Sequence, residues 1–167
     1  MVQKKRKLII RRVTLEDAVK LQTNCFSAMS VEQVRKALQN TLEATASGKE
    51  LQLVTEVDDT VVGTATLIRD AHALRSHRAG LFSLVVHPAY QRHGVARQLV
   101  DALAEHAQSL GIKILETSCR AGTAAEAVYP RLGFTEYGRL PRGLYQTWGE
   151  SKVFDEVYFY RECGDVR

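Results

Sequence analysis

The stretch Leu84-Val85-Val86-His87-Pro88-Ala89-Tyr90-Gln91-Arg92-His93-Gly94-Val95-Ala96-Arg97 decides how this sequence is read. The apolar run over residues 81–86, closed by His87 and Pro88, reads as a central strand buried on both faces. From Val95 onward Ala96, Leu99, Val100, Leu103, Ala107 and Leu110 fall at helical spacing until Gly111, which predicts a long amphipathic helix. A loop that tightens directly into a helix presents backbone N–H groups without intrahelical acceptors, at the positive end of the helix dipole. Such a terminus cradles anions. Gly94 lets the backbone approach a pyrophosphate, Ala96 keeps the first turn small, and Arg92 and Arg97 add charge-assisted contacts. Taken alone, residues 91–96 are equally an ordinary strand-to-helix turn.

Upstream, residues 8–13 alternate as a strand, and Thr14 with Asp17 opens a helix. Ser30 and Gln33 form a capping-box pair ahead of Val31, Val34, Leu38 and Leu42, so a second helix is expected over residues 30–47, stopped by Gly48. Residues 51–57 and 61–68 read as a hairpin turning at Asp58-Asp59-Thr60, with a bulge at Gly63. Downstream, residues 112–115 restart as a strand. Thr123 and Glu126 predict another capping box and a short helix ending at Leu132, with Gly133 just beyond it, and residues 134–137 and 153–160 are the last strands. This order describes a mixed α/β sheet covered by helices, not a regularly alternating doubly wound fold.

A chain of 167 residues with 45% hydrophobic content can bury one core, so residues 8–167 are expected to form a single domain behind a basic arm at residues 1–7. The formal charge of +4 comes from Lys4, Lys5, Arg6, Lys7, Arg11 and Arg12; without these six, the remainder is 17 − 19 = −2. The basicity is therefore read as a solvated tail and not as a phosphate-tracking face, and no nucleic-acid partner is expected. Cys25, Cys119 and Cys163 show no zinc spacing, so no metal is expected. Leu8, Ile9 and Ile10 are too few to cross a membrane, and a soluble, cytoplasmic protein without a membrane partner follows.

With those residues in hand, the run from Ser83 through Phe134 resembles the core of the GNAT family of N-acetyltransferases. Leu84-Val85-Val86-His87-Pro88, then Gln91, Gly94 and Ala96, match the family's acetyl-CoA motif. Tyr129-x-x-x-Gly133-Phe134 matches its second signature, at the expected distance. More narrowly, His77-Arg78-Ala79, Ala121-Gly122, Ala125-Glu126-Ala127 and Gly138-Arg139-Leu140-Pro141 resemble tabtoxin-resistance-type acetyltransferases. The resemblance implies a mostly antiparallel sheet of about seven strands, flanked by about four helices, with central strands that splay. It further implies acetyl-CoA as cosubstrate, transfer to a small-molecule or peptide amine within a ternary complex, and room for a homodimer. Alternatives are a CoA-binding module without catalysis and a protein N-terminal or lysine acetyltransferase.

By the same resemblance, the backbone of Leu84, Val85 and Val86 receives the pantetheine arm. Gln91, Arg92, His93, Gly94, Val95, Ala96 and Arg97 hold the pyrophosphate. Tyr129 protonates the departing thiolate. The carboxylates that family members use as base fall here on Gly80 and Ser118. Glu116 shares a strand face with Ser118 under period-two alternation and is the first candidate base, with His77, His87 or a water chain as substitutes. Cys119 has no histidine nearby in sequence and reads as a structural thiol. Tyr137, Tyr145 and Trp148 are read either as acceptor lining or as core and interface.

Overall fold

A computed structural model describes residues 8–164. Strands β1 (Leu8–Arg12), β2 (Glu50–Val57), β3 (Thr60–Arg69), β4 (Arg78–Val86), β5 (Ile114–Arg120), β6 (Thr135–Gln146) and β7 (Lys152–Glu162) form a seven-stranded sheet in the order β1-β2-β3-β4-β5-β7-β6. Helices α1 (Ala18–Asn24), α2 (Val31–Ala46), α3 (Val95–Ser109) and α4 (Ala124–Arg131) accompany it. The β1/β2, β2/β3, β5/β7 and β6/β7 pairs are antiparallel, whereas β4 and β5 run parallel, as a strand–helix–strand crossover requires. The mixed, mostly antiparallel architecture expected from the sequence is the one observed. Contacts gather the described residues into two compact units, one comprising residues 8–68 with Phe82–Leu103, the other Arg69–Leu81 with residues 104–164.

In the first unit α1 and α2 bury Ala18, Leu21, Val34 and Leu38 with Val13, Val54 and Val61. The Ser30 capping box forms in both directions: Gln33 N donates to Ser30 Oγ at 3.1 Å and Ser30 N to Gln33 Oε1 at 2.8 Å. Asp58 and Asp59 both take positive φ, the two-residue hairpin turn whose twist suits the flanking strands. The register shifts where Thr55 faces Gly63 and Glu56 faces Val61, so the bulge is found beside Gly63 as expected.

Arg11 is not part of a solvated tail. It lies in β1 and its guanidinium donates to both Asp17 oxygens at 2.8 Å and to Glu56 Oε2. Lys4, Lys5, Arg6 and Lys7 lie outside the described residues.

The second unit is built on β5, whose side chains alternate strictly: Leu115, Thr117 and Cys119 are buried, while Ile114, Glu116, Ser118 and Arg120 are half-buried on the opposite face. β5 starts and ends later than residues 112–115, which puts Glu116 and Ser118 inside the strand. β6 and β7 are also longer than expected because β6 absorbs an irregularity between Leu140 and Leu144. Pro141 cannot donate there, and Asp155 accepts from the Arg142 amide at 2.8 Å. The Thr123–Glu126 capping box does not form: Thr123 Oγ1 donates to Arg120 O, and Glu126 accepts from Gly122 N instead.

Burial pushes the Asp17 carboxyl up, but the Arg11 guanidinium and the Thr14 amide and hydroxyl outweigh it and hold it below the ordinary carboxylate range. Its stabilising contribution is therefore complete above the unfolded value near ~3.9 and is lost as pH falls through the lower folded value. Arg11→Ala should cost roughly 2–4 kcal/mol at neutral pH, since it strands a buried carboxylate beside a partly exposed partner. Urea denaturation at pH 7 and pH 3 measures this; the deficit should shrink at the lower pH.

Candidate functional site

The strand–loop–helix segment of the first unit departs from the expectation of a strand buried on both faces. Phe82 and Ser83 are exposed and residues 84–86 only half-buried. Ser83 has φ +51°, a left-handed residue within a strand, which bends β4 in the manner of a bulge at a cost of about 1–2 kcal/mol. Nothing in the residue type announced it. Within the second unit the β4/β5 ladder holds three pairs, Arg78 with Ile114, Ala79 with Leu115 and Gly80 with Glu116.

The loop after β4 is braced by its own side chains. His87 N donates to Val62 O at 2.8 Å, His87 Nδ1 accepts from Ala89 N, and Gln91 Nε2 donates to Val86 O at 3.1 Å. His93 Nδ1 is 2.7 Å from Gln91 O. Gln91 and His93 thus fix the loop's shape. Arg92 at φ +63° and Gly94 at φ +82° are both left-handed, a backbone of the kind that turns successive N–H groups toward an anion. The first intrahelical bond is Gln98 N to Gly94 O, so the amides of Val95 and Ala96 have no carbonyl of α3 to donate to. A Cβ on Gly94 would meet only Gln98 Nε2, at 3.8 Å, so the space over this turn is open. Residues 91–94 and Arg97 are exposed, while Val95 is buried and anchors the helix start.

In the second unit α4 ends in a Schellman motif: Phe134 N donates to Tyr129 O and Gly133 N to Pro130 O, both at 3.1 Å, with Gly133 at φ +87°. The hydrophobic contact that accompanies this cap joins Tyr129 and Phe134, edge to face at 5.6 Å. The spacing Tyr-x-x-x-Gly-Phe is therefore the spacing of the cap itself. Tyr129 also packs on Phe159 at 5.4 Å and is buried. Burial raises its pKa and a hydrogen bond with Thr117 acts the other way, leaving a net upward shift. Thr117 Oγ1 donates to Leu81 O at 2.9 Å.

Glu116 lies on the other face of β5. Arg78 grips both its oxygens at 2.6 Å and Tyr137 donates to Oε1 at 3.0 Å. Both oxygens of this carboxylate are therefore engaged by protein donors. Ser118 Oγ donates to Glu156 Oε1 at 2.6 Å, a carboxylate of β7 that the sequence reading did not single out. Cys119 is buried and its thiol is pushed up to about 11, chiefly by desolvation, so it is not a thiolate at neutral pH. His77 stands just before β4, where its carbonyl accepts from the amides of Lys113 and Ile114. Among the described residues no three His, Cys, Asp or Glu side chains gather in a way that could hold a metal.

Residues 15–134 match the model of the Acetyltransferase (GNAT) family. The chain belongs to this family. The bS18-alanine N-acetyltransferase of Escherichia coli K12 is 39% identical over 70 residues, covering 41% of this chain and 47% of the relative, so the chain spans about half the length of the curated relatives it matches. An N-acetyltransferase from Staphylococcus aureus Mu50 superposes with TM-score 0.79 at 18% identity, covering 95% of this chain and 99% of that one. A putative acetyltransferase from Salmonella typhimurium, solved with its cofactor acetyl-CoA, superposes with TM-score 0.78 at 17% identity over 96% of each chain. At these identities the solved structures share the fold.

The cap explains why Gly133 must be glycine. Gly133→Ala should cost about 1 kcal/mol in thermal denaturation by forcing a side chain into the left-handed region, and should loosen Tyr129 with it. Unchanged stability would show that the motif does not hold the tyrosine.

Proposed function

We propose that this chain transfers the acetyl group of acetyl-CoA to an amine. The observation that carries the reading is the open, left-handed loop at Arg92 and Gly94 running into the amino terminus of α3, in a chain of the GNAT family. A nest of amides at a long helix start suits a pyrophosphate. The amides of Gly94, Val95 and Ala96 would bind it, Arg92 and Arg97 would add charge, and Gln91 and His93 would hold the loop. Residues 84–86, half-buried and following the Ser83 bend, offer strand backbone to an extended arm. Bound acetyl-CoA supplies the thioester carbonyl that an amine attacks.

Tyr129 is the proton donor for the departing sulfur in this reading. Its upward pKa shift keeps the phenol protonated at neutral pH, as a donor must be. Glu116, spent on Arg78 and Tyr137, orients the acceptor side of β5 through Tyr137 instead of removing a proton. The curated relatives are named for acetylating a ribosomal-protein alanine, which favours a peptide or protein amine as acceptor. No described helix is long and apolar enough to cross a membrane. An intracellular setting, where acetyl-CoA is made, completes the proposal.

The test is CoA release over a panel of peptide and small amines, beside acetyl-CoA titration. Tyr129→Phe should lower turnover by the ~10²–10⁴-fold of a lost general acid while acetyl-CoA affinity holds. Gly94→Val should weaken acetyl-CoA binding, because a β-branched residue is strained at that φ. Acetyl-CoA binding without any amine-dependent CoA release in the wild type would overturn the catalytic reading in favour of a binding module.

A further inference from the structure

Glu156 lies on β7 with Arg120 of β5 across from it on one side and Leu140 of β6 on the other. Opposite charges so placed ordinarily pair. The Arg120 guanidinium instead donates to Gln146 Oε1 and lies over the rings of Phe154 and Trp148, at 5.4 and 6.0 Å. The Glu156 carboxylate accepts from two hydroxyls: Ser118 Oγ on Oε1 at 2.6 Å and Tyr158 Oη on Oε2 at 2.7 Å. Gly143 of the β6 irregularity makes room for it, since a Cβ there would stand 2.8 Å from Glu156 Cβ. Asp17, Glu56, Asp70, Glu116, Glu126 and Glu136 each hold a guanidinium, whereas among the described residues Glu156 takes part in no ion pair.

We propose that Glu156 receives the acceptor's ammonium group and takes its proton before attack. The proposal rests on the acetyl-transfer reading above. A half-buried carboxylate held in place by two hydroxyl donors, with no guanidinium on it, can receive an incoming ammonium group. Tyr158 and Tyr137, their rings 5.9 Å apart, add aromatic faces beside it that favour a cation. The alternation along β5 sets Ser118 and Glu156 on the face opposite Thr117 and Tyr129. The two proton transfers are thereby served from the two faces of one strand. The ammonium gives its proton to the Glu156 carboxylate. The neutral nitrogen forms the C–N bond, the C–S bond breaks with its electron pair on sulfur, Tyr129 protonates that sulfur, and the amide's surplus proton leaves to solvent or the phenolate.

The other charged groups near Glu156 are accounted for. Arg120 is engaged by Gln146 and the rings, Glu116 is neutralised by Arg78, and Asp155 accepts from the Arg142 amide. The Tyr158 phenol is raised above its ordinary value, first by its bond to Glu156.

The full chain is assayed for CoA release with a short peptide bearing a free α-amine, from pH 6 to pH 10, as wild type, Glu156→Gln, Ser118→Ala and Tyr158→Phe. Glu156→Gln should lose about 10²–10³-fold in kcat/KM for the peptide at pH 7, with acetyl-CoA affinity unchanged, and should recover toward wild type as pH approaches the amine's own pKa. Ser118→Ala and Tyr158→Phe, which free one carboxylate oxygen each, should shift the acidic limb of the wild-type profile without abolishing turnover. If Glu156→Gln does not fold, those two profiles decide, and limbs identical to wild type overturn the assignment. Equal kcat/KM for wild type and Glu156→Gln, or a loss of the same factor at every pH, overturns it as well. A wild type that binds acetyl-CoA but accepts no amine would instead sink the acetyl-transfer reading itself.

Discussion

The side chain of Val95 packs too close to Gly63 for a β-carbon to stand there. Such a carbon would lie 2.9 Å from Val95 Cγ1, 3.3 Å from the Val85 carbonyl and 3.4 Å from Leu99 Cδ1. Three elements of the first unit therefore meet over one residue that has no side chain: the bulge of β3, the end of β4 and the first turn of α3. Because Leu99, Val100 and Leu103 are buried along the same helix, its amino terminus cannot slide once Val95 is seated. The direction in which the amides of Val95 and Ala96 point is set by this close approach, and the anion binding proposed for them depends on it.

A second constraint governs the tyrosine. Tyr129 is the third residue before the cap of α4, and its carbonyl accepts from Phe134 while its ring meets that residue's ring. Backbone closure and aromatic packing thus fix the same side chain twice. Its hydroxyl is left beside Thr117, on one face of β5, while the hydroxyl of the next residue, Ser118, reaches Glu156 on the other. A strand's period of two thus puts the side chains that meet the adjacent residues Thr117 and Ser118, Tyr129 of α4 and Glu156 of β7, on opposite faces of β5.

Most of the architecture was legible because local chemistry and global fold agree in this chain. The Ser30–Gln33 box, the Asp58-Asp59 turn, the bulge at Gly63 and the glycine after α4 carry their own geometric signatures, and each is found where its residues put it. The misses share a physical cause. The Ser83 bend has no residue-type signal, since serine gains nothing from a left-handed backbone. Glu126 abandons Thr123 for the Gly122 amide because Arg139 draws it and Thr123 turns to Arg120. Arg11 looked like part of a basic tail because Asp17 and Glu56, which claim it, are brought together only by β1 pairing with β2. Glu156 was invisible for the same reason: 38 residues separate it from Ser118, and only the β5/β7 register joins them.

Amide hydrogen exchange with and without acetyl-CoA tests the central claim, that the segment running from the end of β4 into α3 is built to hold this molecule. Added protection should concentrate at residues 84–86 and 92–97, with the α1 and α2 amides of the same unit unchanged. Saturating acetyl-CoA that leaves residues 92–97 exchanging at their ligand-free rates, or that protects some other helix start instead, would contradict it.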